Sequence, residues 1–150
     1  MRPLLSHEMR FAPEVGRPYA LNAGATGKVM LAFDDELAQA VLAAGDLPAY
    51  TPNTVVSAQP LAAQLEAMRR EGYAASEGER VAGGCAIASP VFGPTGAVMG
   101  ALTISAVSAR CDLQRLVRFA PQLRRGAEEV SARLLGPPQP LLPPREDDAP

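Results

Sequence analysis

The chain is poor in the residues that most enzymes use as bases. Among 150 residues there is one histidine, His7. A side chain that changes charge near neutral pH is therefore almost missing, which removes most hydrolase arrangements. The two cysteines, Cys85 and Cys111, are too few for a four-thiolate zinc site. Met1-Arg2-Pro3-Leu4-Leu5 lacks the long apolar core of a secretory signal, so a disulfide framework is not expected either. No apolar run approaches the roughly 18 residues that a membrane helix needs. Positive charge is also scarce: Lys28 is the single lysine beside thirteen arginines, and the net charge is −2. Without a basic field, these residues are not expected to contact nucleic acid themselves. A cytoplasmic location, no membrane partner, no metal and no cofactor are the expectations.

What is present suits one folded domain. Apolar residues make up 47% of the chain and charged residues 20%, a soluble globular balance. Residues 1–20 are punctuated by Pro3, Pro13, Gly16 and Pro18 and read as an irregular or edge segment. A first helix is predicted from Thr26, with Thr26 as its cap and Val29, Met30 and Phe33 reaching a core. A second is predicted over 35–44, capped by Asp34 and released at Gly45. A third fits 58–71, with Ser57 as cap, Leu61, Leu65 and Met68 as the apolar stripe, and Gly72 as the exit.

The period then changes. Residues 73–76 read as a short strand, and 85–92 and 97–107 as longer ones, joined by a Gly93-Pro94-Thr95-Gly96 hairpin loop. A last helix is predicted over 113–134, capped by Asp112 and kinked or split by Pro121. Its expected buried stripe is Leu116, Val117, Ala120, Leu123, Ala127, Val130 and Leu134, with Gly136 as the stop. Residues 137–150 hold six prolines and Arg-Glu-Asp-Asp, too little apolar surface to offset chain entropy, and read as disordered.

Three places offer chemistry. On the strand 97–107, residues two apart share a face, so Thr103 and Ser105 present adjacent hydroxyls while Leu102 and Ile104 face an apolar layer. Such a pair lines a polar recess, or is an ordinary solvated strand face. Ala23-Gly24-Ala25-Thr26-Gly27 is small enough for a ligand to approach the backbone, and a helix start there points free N–H groups outward, as suits a carboxylate. It serves equally as a tight helix start packed on the sheet. Lys28 adds attraction there or is an exposed helix lysine. Cys85 follows Gly83-Gly84; with no histidine at hand it reads as a small buried hydrophobe before a nucleophile. Glu77, Glu79 and Arg80 read as a solvated turn, where an ion pair contributes little.

Five segments in register carry a further signal: Leu21–Ala32 with its Gly24-Ala25-Thr26-Gly27-Lys28 core, Tyr50–Thr54, Met68–Ala74, Ala88–Phe92 and Leu102–Ser105. Together they resemble the C-terminal effector-binding domain of IclR-family transcriptional regulators, over roughly residues 14–136. The resemblance implies an α+β, GAF-like fold, a mainly antiparallel sheet with flanking helices, here residues 21–136. It also implies a pocket lined by Ala25, Thr26, Ser76, Cys85, Ala86, Thr103 and Ser105, which would take a small organic or aromatic acid. Members that bind small oxo-acids tend to carry an acidic residue where Ser76 stands and a cysteine where Ala86 stands; here the cysteine is one position earlier, at Cys85. Family members also carry an N-terminal winged helix-turn-helix, for which no pattern precedes Leu21.

Three functions follow as expectations. The first is a metabolite-sensing module of a transcriptional regulator, a homodimer or homotetramer that reaches DNA only through an N-terminal domain outside this chain. The second is a stand-alone GAF-like association module that senses nothing. The third is a thiol-dependent enzyme built on Cys85, which lacks a base other than His7.

Overall fold

A computed structural model describes Gly16 and residues 18–135. The expectations for His7, for most of the opening segment, for Gly136 and for the 137–150 tail lie outside the described residues. Eight elements follow in order: α1 (Ala25–Ala32), α2 (Asp35–Ala43), α3 (Ala58–Glu71), β1 (Ala74–Glu77), β2 (Gly84–Phe92), β3 (Val98–Val107), α4 (Leu113–Val117) and α5 (Ala120–Leu135). The fold is α+β. The three strands form one antiparallel sheet in the order β1-β2-β3.

Local rules account for most boundaries. Asp34 caps α2, its carboxylate accepting from the Leu37 N–H at 2.9 Å. Its replacement by alanine is expected to cost about 1 kcal/mol, read as a lower denaturant midpoint at unchanged slope. Gly72 closes α3 in the left-handed conformation at φ 76°, a geometry that glycine adopts without a Cβ penalty. Two predicted caps do not act as caps. Ser57 makes no side-chain bond to α3. Thr26 lies inside α1, which starts from Gly24 at φ 88°. The predicted last helix is two. The break falls at Arg118–Phe119, and Pro121 sits in the first turn of α5, where a missing N–H leaves no bond unmade.

The sheet is packed on both faces. On one, Ala25, Val29, Leu31 and Ala32 of α1 join Leu61, Leu65 and Met68 of α3 against Ala74 and Ala88. On the other, Leu116, Ala120 and Leu123 cover Cys85 and Ile87, with Ile104 beside them. Alternation along β2 produces this division: odd positions face α4 and α5, even ones face α1. The predicted stripe on the last helix holds to Ala127 and then ends. Val130 and Leu134 are 40% and 44% exposed. At the end of β2 it is Ser131 and not Val130 that meets the sheet, its Oγ accepting from the Phe92 N–H at 2.9 Å, and Leu134 lies a turn beyond.

Candidate functional site

The start of α1 lands on the middle of the sheet. Register sets Ser76 opposite Ala86 and Ala86 opposite Ser105, one row across all three strands. The next row holds Ala74, Ala88 and Thr103. All are on the α1 face. The Ala25 N–H donates to Ser76 Oγ at 2.9 Å, and the hydroxyls of Thr26 and Thr103 lie 3.0 Å apart, hydrogen-bonded. Ala25 and Ser76 are buried, while Thr26 and Ser105 are exposed, so the corner opens to solvent on its β3 side. Six of the seven predicted residues are therefore brought together.

Cys85 is not among them. It faces the α4 and α5 layer, with Sγ 3.1 Å from the Cys111 carbonyl oxygen. One residue of offset on a strand reverses the face, which is the physical reason for this correction. Burial pushes the Cys85 thiol up, against a smaller pull downward from Ser108. That is opposite to the activation a nucleophilic cysteine requires.

The turn after β1 is a second correction. Glu79 is buried, not solvated, and Lys28 is the largest fully buried side chain, with no exposed surface. Lys28 Nζ donates to Glu79 Oε1 at 2.5 Å and to Gln64 Oε1 at 2.6 Å. The other carboxylate oxygen, Glu79 Oε2, accepts from the Gly24 N–H at 3.0 Å. The Glu79 carbonyl accepts from Thr54 Oγ1 at 2.5 Å and from Thr51 Oγ1 at 3.2 Å. The first two N–H groups of the α1 start are thus already held, by Glu79 and by Ser76, rather than left free as expected. Asn22 adds a further tie, donating from Nδ2 to the carbonyls of Pro48 and Val55 at 3.0 and 2.9 Å. Sequence reasoning missed Glu79, Gln64 and Asn22 as site supports. The available signals were Asn22 in the first of the five segments and Thr51 and Thr54 in the second.

Two surface hollows lie elsewhere, and neither touches this corner. One, of about 460 Å³, is bounded by α2 and α3 around Asp35, Leu42 and Arg69. The other, of about 360 Å³, is lined by Arg110, Cys111, Arg115, Arg118 and Phe119. Their size does not decide the matter; the converging donors are at α1. Among the described residues no group of three or more His, Cys, Asp or Glu could hold a metal ion, and no helix is long and apolar enough to cross a membrane.

Comparison with known proteins decides the family that the five sequence segments resembled. The family model for the bacterial transcriptional regulator IclR C-terminal region matches residues 5–132. The chain belongs to the IclR family.

Its IclR relatives include the HTH-type transcriptional regulator KdgR of Escherichia coli K12, 30% identical over 129 residues, 85% of this chain and 49% of KdgR. The HTH-type transcriptional repressor AllR of the same strain is 32% identical over 128 residues, 84% of this chain and 47% of AllR. The chain spans about half the length of these curated relatives. Among solved structures, the inducer-binding domain of the Acinetobacter transcription factor PobR, a double mutant in complex with 3-hydroxybenzoic acid, superposes with a TM-score of 0.66. It is 31% identical, and the match covers 74% of this chain and 66% of that one. The α+β fold expected from the IclR resemblance is the fold observed.

Proposed function

We propose that the chain is a ligand-sensing module, within residues 21–136, that binds a small organic or aromatic acid at the α1 corner. The observation that carries this reading is the convergence of the hydroxyls of Ser76, Thr26 and Thr103 beside Ala86 and Ser105, with Ser76 Oγ held in place by the Ala25 N–H. These are neutral donors at the positive end of a helix, which stabilise an anion without a basic side chain. The likeness to the PobR domain, which holds 3-hydroxybenzoic acid, supports the same class of ligand. An entering carboxylate exchanges the Thr26–Thr103 bond for bonds to its own oxygens, nearly an even trade in number but a gain in strength, because charge-assisted bonds are stronger. Binding would shift how subunits associate as a homodimer or homotetramer, and so how attached DNA-binding domains are spaced.

Isothermal calorimetry of the 150-residue chain against benzoate, 3-hydroxybenzoate, pyruvate and glyoxylate tests the reading. One or more is expected to bind, and Thr103→Ala is expected to weaken that binding by about tenfold, the worth of one hydrogen bond to a charged group. Silence across the panel from a folded sample, or a Thr103→Ala affinity equal to wild type, sinks it.

A second reading, an association module without a ligand of its own, draws on a different observation. Among the described residues β3 pairs only with β2, and Met99, Val130, Leu134 and Leu135 are exposed. Unpaired strand edges and exposed apolar residues favour contact with another chain. Light scattering separates the two readings: a mass that responds to the acids supports sensing, and one that ignores them supports association alone.

A further inference from the structure

The buried Lys28–Glu79 pair lies directly behind the α1 corner. Consecutive amides connect them: the Gly24 N–H is held by Glu79 Oε2 and the Ala25 N–H by Ser76 Oγ. One residue of backbone therefore separates a buried carboxylate from the row that faces a ligand. A carboxylate there fixes the helix start, because it caps the amide that opens α1. The same carboxylate, left alone, repels any anion bound in front of it. At an effective dielectric constant of about 20, an uncompensated unit charge this close behind a ligand carboxylate changes affinity on the order of tenfold or more. Lys28 answers this charge. Its Nζ has no exposed surface and touches both Glu79 Oε1 and Gln64 Oε1. A lysine needed only to fill space there would cost more in lost hydration than an apolar side chain of the same volume.

We infer that Lys28 and Glu79 form a charge-balanced positioning pair, in which Glu79 holds the α1 start in place and Lys28 cancels its field so that the corner accepts acids over their neutral analogues. This rests on the α1 corner being the binding site. Neither residue touches the ligand; both act through the helix start and through space. The sign of the effect distinguishes this from simple support of the fold. Removing the positive partner disfavours an anionic ligand, removing the negative partner favours it, and removing both restores the balance.

The test measures, for wild type, Lys28→Met, Glu79→Gln and the double variant, the affinity for each of benzoate, 3-hydroxybenzoate, pyruvate and glyoxylate and for the primary amide of each. The readout is the acid-to-amide preference, which a loss of stability alone leaves unmoved. Relative to wild type, Lys28→Met is expected to lower the preference by about tenfold and Glu79→Gln to raise it. The double variant is expected to return it to within about threefold of wild type, since the two opposed fields leave together. Should Lys28→Met fail to fold, the opposite-sign Glu79→Gln arm and the double variant decide. An unchanged preference in the folded variants overturns the inference while leaving the sensing reading intact. Wild type that binds none of the acids overturns the sensing reading, and this inference with it.

Discussion

Glu79→Ala is expected to lower the unfolding free energy by about 3–5 kcal/mol, the cost of leaving a buried charge without its partner. Lys28 Nζ would keep only Gln64 Oε1, inside a core that admits no water to the ammonium. The Gly24 N–H would lose its acceptor at the same time. Against this stands the usual view of an acidic turn residue, whose replacement changes stability by a few tenths of a kcal/mol. Urea unfolding followed by circular dichroism distinguishes the two. A midpoint shift equivalent to less than about 1 kcal/mol would place Glu79 in solvent and undo the network described here. Glu79→Gln should cost less than Glu79→Ala, because a carboxamide oxygen still reaches Gly24.

Gly27→Ala carries the other large effect. Helix propensity alone predicts a gain of about 1 kcal/mol for alanine over glycine inside a helix. Packing predicts the reverse. A Cβ at Gly27 would stand 2.6 Å from the Leu21 carbonyl oxygen and 2.8 Å from Leu21 Cα. Both are backbone atoms, so no rotamer change relieves the contact, and the segment entering α1 must move. A net loss of about 2 kcal/mol or more is expected, together with weaker binding at the displaced corner. For a domain of this size the melting temperature should fall by roughly 5–10 °C. Gly100→Ala is the control: nothing lies within 4 Å of a Cβ there and its φ is ordinary. If Gly27→Ala melts with or above wild type, Leu21 does not pack on α1 as described.

Legibility in the sequence followed the range of the interactions. The third helix was readable to the residue, because Leu61, Leu65 and Met68 repeat at helical spacing and Gly72 supplies the left-handed exit. The second was readable to its Asp34 cap, and the strands to within one residue, since the Gly93–Gly96 loop separates two runs rich in β-formers. Thr103 and Ser105 could be placed on one face because strand alternation is a local rule. Misreadings arose where a distant partner decides. Thr26 has the chemistry of a cap, yet its hydroxyl is drawn to Thr103, 77 residues away, and Gly24 opens the helix instead. Glu79 looks solvated beside Glu77 and Arg80, yet it is buried because Lys28 is 51 residues away and aimed at it.

Residue order by itself determined the element types, their sequence along the chain, the strand faces, and through five short segments the family. Those properties depend on neighbours within a turn or a pleat, where side-chain spacing and backbone conformation suffice. Only the folded molecule decided which amides of α1 are already occupied, that Glu79 is buried, and that the single lysine is interior. Each of these depends on a partner brought close by the sheet register, and charge burial has no signature until that partner is in place.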